Sequence, residues 1–81
     1  MNQLFTKQQL QGILTVINEL SGGSREEIIE ECQERNIIAS AGFVEYMLDV
    51  HLLPMGYIKS FQLDETRYNI SQVGEIHLIS L

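Results

Sequence analysis

The sequence predicts a single α+β domain with three helices, a β-hairpin and then a short C-terminal helix or an apolar tail. Two observations favour this fold class. Apolar residues recur at helical spacing through the first part of the chain, and β-forming residues lie on both sides of a polar turn near residue 64. A length of 81 residues accommodates one domain, so we assign residues 1–81 to it.

The first predicted helix runs from residue 7 to about residue 21. Its apolar positions fall on one face, at Leu10, Ile13, Leu14, Ile17 and Leu20. Thr6 is the predicted N-cap. We expect Gly22 and Gly23 to end the helix, because glycine adopts the left-handed C-cap conformation at little cost.

Capping residues predict the next two helices. Ser24 to Glu27 spell a Ser-x-x-Glu capping box, which opens a second helix that extends to about residue 35. Ser40 is the predicted cap of the third helix, which extends to about residue 53. Pro54 follows, and a proline cannot continue a helix.

The last part of the chain is predicted to begin with a hairpin. Residues 57–63 and 67–70 are rich in β-formers and flank the polar segment 64–66. Ser71 is typical of another helix cap, so residues 72–81 form either a short helix or an extended apolar tail. Because two isolated strands are marginally stable, the hairpin must pack on the helices.

This order of elements resembles the winged helix-turn-helix superfamily, from residue 7 to about residue 79. Many members have a third helix that ends in Leu-x-x-x-Gly-x-Ile, then a wing, and then Tyr-x-Ile/Leu-Thr/Ser-x-x-Gly. The residues that match these motifs are Gly56, Tyr57, Ile58, Tyr68, Ile70, Ser71 and Gly74. The resemblance implies that residues 40–53 form the recognition helix and that the hairpin forms the wing.

The predicted recognition helix departs from the DNA-binding pattern. In DNA-binding members the third helix enters the major groove. Here that helix contains no lysine or arginine, and its predicted outward residues include Glu45 and Asp49. Two carboxylates would face phosphates of like charge, which argues against conventional reading of the groove.

The composition favours a partner with a basic surface. The net charge is −6, from 11 acidic and 5 basic side chains. No apolar run approaches the ~20 residues of a membrane span, and residues 1–7 lack the apolar core of a signal peptide. A single cysteine fits a reducing compartment, so we expect a cytoplasmic protein without membrane contact.

The first functional hypothesis is a non-enzymatic module that binds a protein partner. An array of carboxylates can imitate nucleic-acid phosphates, as in small acidic inhibitors from phages and mobile elements, and the alternative is a merely solvated helix face. The candidate partner-binding residues are Glu27, Glu30, Glu31, Glu34, Glu45, Tyr46 and Asp49.

The second hypothesis is a small, dimeric, winged-helix transcriptional regulator that binds DNA. Its candidate nucleic-acid-binding residues are Arg25, Arg35, Lys59 and Arg67. The apolar C-terminal residues either pair with a second copy or complete the monomer core, which a chain this short needs. The candidate dimer residues are Ile76, Leu78, Ile79 and Leu81.

The residues that most often carry chemistry do not form a recognisable site. Cys32, His51 and His77 lie at no metal-ligand spacing, so we expect no metal or cofactor. The serines at predicted helix starts are explained as caps. We therefore expect no enzymatic activity, because a catalytic site requires convergent nucleophile, base and orienting groups.

Overall fold

Residues 5–80 are described by a computed structural model, and they form four helices and a three-stranded antiparallel sheet. The elements in chain order are α1 (Lys7–Leu20), β1 (Gly23–Ser24), α2 (Arg25–Glu34), α3 (Ala41–Tyr46, which continues as a π-helix over Met47–Leu52), β2 (Ile58–Gln62), β3 (Thr66–Ile70) and α4 (Gln72–Ser80). The fold is therefore mixed α+β, as predicted. Among the helices described, none combines the length and apolar character needed to cross a membrane.

The predicted caps are present at the helix starts. Thr6 and Gln9 form a reciprocal capping box at the start of α1, as Ser24 and Glu27 do at the start of α2. In the second box, Glu27 N–H donates to Ser24 Oγ at 3.2 Å, and Ser24 N–H donates to Glu27 Oε1 at 2.8 Å. Each pair satisfies two backbone donors that a helix leaves free at its N-terminus.

The end of α1 lies one residue earlier than the glycine pair suggested. Ser21 takes the left-handed conformation, with φ 48°, and Gly22 follows with φ 102°. Gly23 is instead the first residue of β1, where it is buried. Glycine pairs mark a break in a helix without showing which residue caps it, so the sequence located this break but missed the strand after it.

The third helix changes its hydrogen-bonding pattern halfway. One regular helix was predicted over residues 40–53, but only Ala41–Tyr46 is α-helical. In the following π-helix each turn closes with the residue five positions back, as between Leu53 N–H and Leu48 O at 3.1 Å. The wider turn places Leu48 and Leu52 in the core at 0% exposure.

The sheet has the strand order β1–β3–β2. In the hairpin, Lys59 pairs with Asn69 and Phe61 pairs with Arg67, so these four side chains share one face. Tyr68 points the other way and is 1% exposed. The two-residue strand β1 pairs with Arg67 and Tyr68 and was not predicted, because two residues show no periodicity.

The hydrophobic core lies between α1, α2, the third helix and the inner face of the hairpin. Its fully buried members come from every one of these elements: Ile13, Leu14, Val16, Ile17, Ile28, Cys32, Val44, Met47, Leu48, Leu52 and, from the hairpin, Tyr68. The C-terminal segment is a helix and not an extended tail. It contributes the buried Gly74 and the partly buried Leu78 to this packing.

Candidate partner-binding surface

Arg25, the first residue of α2, reaches the outer side of the third helix. Its Nη2 lies 2.7 Å from Asp49 Oδ1, and its Nη1 lies 3.0 Å from Asp49 Oδ2. Glu45 Oε2 lies 3.4 Å from the same Nη1. A two-point contact between a guanidinium and a carboxylate is stronger than a single neutral hydrogen bond. The two acidic residues predicted on this helix are therefore bound within the domain.

Tyr68 supports the Arg25 side chain from the side of the core. Its phenol oxygen accepts a hydrogen bond from Arg25 Nη2 at 2.8 Å, and the guanidinium carbon lies 5.8 Å from the ring centroid. The bond with Asp49 raises the pKa of Arg25 and lowers the pKa of Asp49. We call Arg25, Glu45, Asp49 and Tyr68 the Arg25 cluster.

Arg35 joins α2 to α1. Its Nη2 lies 2.6 Å from Glu19 Oε1, and its Nε lies 2.9 Å from Glu31 Oε1. These bonds, first the one to Glu19 and then the one to Glu31, raise the pKa of Arg35. Both the cation and its two carboxylates are thus engaged on the α1 side of α2.

Arg67 is held beside the hairpin turn. Its Nε lies 3.1 Å from Asp64 Oδ1, and its Nη1 donates to Gly22 O at 3.1 Å. Glu27 and Glu65 lie farther off, at 3.5 and 3.7 Å from its nitrogens. The bond with Asp64 raises the pKa of Arg67 and lowers the pKa of Asp64.

The four predicted nucleic-acid-binding cations do not form one surface. Arg25, Arg35 and Arg67 each contact at least two carboxylates, in three different places. Lys59 has no ion-pair partner within residues 5–80. It lines a surface cavity of ≈ 250 Å³ together with Asn18, Ser21, Asn69, Glu75, Ile17 and Ile70. A phosphate backbone that approached these cations would therefore meet three arginines that are already paired with carboxylates.

The glutamates of α2 divide into engaged and exposed groups. Glu31 is bound to Arg35, and Glu27 caps its own helix. Glu30 and Glu34 are exposed and form no ion pair in the described part of the chain. Of the predicted acidic residues, these two are available to a partner.

Glu26 belongs with Glu30 and Glu34, although it was not among the predicted residues. It is exposed and unpaired within residues 5–80, and it lies one helical turn before Glu30. The regular spacing of four residues was the signal in the sequence that identifies this line. We call Glu26, Glu30 and Glu34 the glutamate row.

An apolar pair lies on the outer face of the third helix. Tyr46 is 36% exposed, and its ring stacks on Phe43 with 6.1 Å between centroids and 7° between planes. Val50, one turn later, is 56% exposed. Tyr46 was predicted as a contact residue and Val50 was not, although it follows Tyr46 at i+4. We call Tyr46 and Val50 the apolar pair.

The Arg25 cluster joins the two helices that carry the glutamate row and the apolar pair. The row lies on α2 and the pair on the third helix. Arg25, on α2, contacts Glu45 and Asp49, which flank Tyr46 and Val50 in the sequence of the third helix. Gln33 Nε2 of α2 also donates to Ala39 O, just before the third helix, at 3.0 Å.

Three apolar side chains on α4 are exposed. Val73, Ile76 and Ile79 recur every three residues at 54%, 59% and 85% exposure. Leu78, predicted as a dimer residue with Ile76 and Ile79, instead packs against the core and is only partly exposed. The predicted dimer residue Leu81 lies outside the described residues.

Cys32 is buried in the core at 0% exposure. Loss of hydration raises the pKa of its thiol to about 11. A thiol in that state is a poor nucleophile. Within residues 5–80, no three histidine, cysteine or acidic side chains are grouped as metal ligands.

Comparisons of this chain with protein-family models, with curated proteins and with solved structures found no match.

Proposed function

We propose that this chain is a non-enzymatic acidic module of winged-helix type that binds a protein partner with a basic surface. The arrangement that supports the fold assignment is the order of three helices, a hairpin and a short helix, with β1 pairing against the returning strand of the hairpin. In such a module the third helix and the hairpin wing form the face that meets a partner.

One observation carries the proposal: Arg25 binds both acidic residues on the outer face of the third helix, Glu45 and Asp49. One positive charge against two negative charges leaves a net charge of −1 on this face, which also presents the apolar pair. Tyrosine is enriched among the residues that contribute most to the binding energy of protein interfaces, which supports a contact role for Tyr46. A DNA-reading helix would present cations and hydrogen-bonding groups in the same place.

The charge that is not neutralised supports a basic partner. The glutamate row contributes three negative charges on α2, in a chain whose net charge is −6. Such a row raises the rate at which a cationic surface associates and defines its orientation. One partner class that fits is a nucleic-acid-binding protein whose channel accepts carboxylates in place of phosphates, as for an inhibitor encoded by a phage or mobile element.

Capture from a cell lysate with and without nuclease treatment, quantified by mass spectrometry, tests the proposal. We consider only protein partners that are still captured after nuclease treatment. For these, we expect the double variant Glu26→Lys with Glu30→Lys to reduce capture at least tenfold, because a close charge pair typically contributes more than ~1.4 kcal/mol. The matched control is Glu65→Lys with Glu75→Lys, which changes the net charge equally but on the hairpin and α4. Equal loss in both variants would show that only net charge matters.

One observation favours a second function, a dimeric regulator that binds DNA. Lys59 and Arg67 lie on the same face of the hairpin, where a wing would touch a phosphate backbone. Anisotropy titration with random-sequence duplex DNA separates the two functions. We expect no binding at physiological salt, whereas submicromolar affinity that weakens steeply with salt would favour the regulator.

A further inference from the structure

The outward side of α4 carries a row of apolar side chains that nothing covers within residues 5–80. Val73, Ile76 and Ile79 are 54%, 59% and 85% exposed, and their spacing of three residues makes them neighbours on the helix surface. The opposite side of the helix holds it in place, because Gly74 is buried and Leu78 packs on the core. Contiguous apolar surface marks interaction sites, whereas single exposed apolar residues do not. We call Val73, Ile76 and Ile79 the α4 row.

A polar cavity of ≈ 250 Å³ adjoins the α4 row. It lies between the end of α1, the hairpin and α4, and it is lined by Lys59 of β2 and Glu75 of α4. Glu75 lies four residues before Ile79, so the two side chains are neighbours on the same side of the helix. The cavity therefore opens beside Ile79, the most exposed residue of the row.

Lys59 and Glu75 carry opposite charges and line the same cavity, yet they form no ion pair with each other. Neither side chain has an ion-pair partner elsewhere within residues 5–80. Arg25, Arg35 and Arg67, by contrast, are each bound by carboxylates of their own chain. An exposed cation and an exposed anion therefore lie beside the row.

A second copy of this chain is the occupant that the charge pattern fits. In a two-fold interface the same patch lies on both sides, so a residue i that contacts j is matched by a j that contacts i. Lys59 would meet Glu75 of the second copy, and Glu75 would meet the Lys59 of that copy, while the two α4 rows cover each other. A basic partner would instead meet Lys59 with like charge, and an acidic partner would meet Glu75 in the same way.

We infer that two copies of this chain associate through the α4 row, with Lys59 of each copy paired to Glu75 of the other. Three apolar side chains and two charges are few for a stable interface, which buries about 800 Å² on each partner. The association is therefore weak and depends on concentration, and the two ion pairs define its orientation. The inference does not rest on the proposed partner binding, whose residues lie on α2 and the third helix.

Sedimentation equilibrium of the full chain, at concentrations up to about 0.5 mM, tests the inference. We expect a monomer–dimer equilibrium for the wild type. Lys59→Glu and Glu75→Lys are each expected to weaken the association at least tenfold, because each change introduces two like-charge contacts into a two-fold interface. A wild type that stays monomeric over this range, or variants that associate as the wild type does, would overturn the inference.

An equimolar mixture of the two variants separates a contact between copies from a contact within one chain. When a Lys59→Glu chain meets a Glu75→Lys chain, both contacts again join opposite charges, so we expect the mixture to dimerise as the wild type does. Mixing would not restore a contact within one chain. A mixture that associates no better than either variant alone would therefore overturn the inferred pairing.

Lys7→Glu and Glu65→Lys are the matched controls, because they make the same changes of charge at the start of α1 and in the hairpin turn. We expect both to associate as the wild type does, alone and when mixed. An equal loss in these controls would show that net charge controls the association, and this would overturn the inference. Glu75→Lys leaves the glutamate row unchanged, so loss of the dimer and loss of partner capture are observed separately.

NMR on a mixture of isotope-labelled and unlabelled wild-type chains gives a measurement that requires no variant. We expect magnetisation to pass from the unlabelled copy to the methyl groups of Ile76 and Ile79. A sample that sediments as a dimer without this transfer would place the contact elsewhere and overturn the inference.

Discussion

At the residue scale, Asp49 joins α2 to the third helix through its two-point bond with Arg25. We expect Asp49→Asn to lower the free energy of unfolding by about 1 kcal/mol, since the half-exposed carboxylate is partly screened by water. Glu45→Gln, which removes the longer 3.4 Å contact, is the control and should cost less. Urea denaturation at neutral pH measures both, and an equal loss would contradict the assigned geometry.

We also expect the stability that Asp49 contributes to depend on pH. Because the bond to Arg25 lowers the pKa of Asp49, the folded state binds fewer protons than the unfolded state. The stabilisation is present when the pH is above 3.8, the ordinary pKa of an aspartate, and it is lost as the pH falls toward the lowered pKa of Asp49 in the folded state. The stability curves of the wild type and Asp49→Asn should therefore converge below that range. Curves that remain parallel in acid would assign the difference to another interaction.

Gly74 allows α4 to pack closely against the backbone of Tyr57. In Gly74→Ala the new Cβ would meet the backbone oxygen of Tyr57, which cannot move as a side chain can. We expect a loss of about 2 kcal/mol in the free energy of unfolding and a displaced α4. Gly42→Ala, where the nearest contact is 3.8 Å, is the control and should be close to neutral or stabilising. Thermal unfolding and amide chemical shifts report the two effects.

At the scale of elements, the sequence predicted those whose determinants are local. Thr6, Ser24, Ser40 and Ser71 cap their own helices, so a short window of sequence contains the whole interaction. The π-helix after Tyr46 and the strand β1 depend on packing against other elements. Neither leaves a local pattern, which is why both were missed.

The exposed row of α4 allows a prediction about self-association. We expect Ile76→Gln with Ile79→Gln to change the free energy of unfolding by less than about 0.5 kcal/mol, because both side chains face solvent in the single chain. If the row contacts a second copy, the wild type should elute as a dimer and this variant as a monomer. Identical elution volumes measured across a range of concentrations would reject a role in self-association.

At the scale of the whole molecule, charge pairing could not be predicted from the sequence. Arg25 and Asp49 are 24 residues apart, and they meet only because α2 packs against the third helix. The sequence therefore assigned them to opposing hypotheses, one as a contact to nucleic acid and the other as a contact to a protein. The acidic character of α2 and the outward position of Tyr46 were local properties, and these were predicted.

The reactivity of the Cys32 thiol measures how often the hydrophobic core opens to solvent. Since it is 0% exposed and its pKa is raised to about 11, we expect a thiol reagent to label it only through unfolding. Labelling at about pH 8 should be slow in the native chain and immediate in concentrated guanidinium. Complete native labelling within the dead time of mixing would show that the core opens readily.

The π-helix over Met47–Leu52 has a consequence for how this chain tolerates insertions and deletions. Such a segment contains one residue more than an α-helix with the same ends, so loss of one residue would return it to α-helical pairing. Because the two ends of the segment would then keep their places, the Tyr57 turn and α4 would keep their orientation. We therefore expect a single-residue deletion between Met47 and Leu52 to disturb the fold less than a deletion within α1, where each residue turns the chain by about 100°.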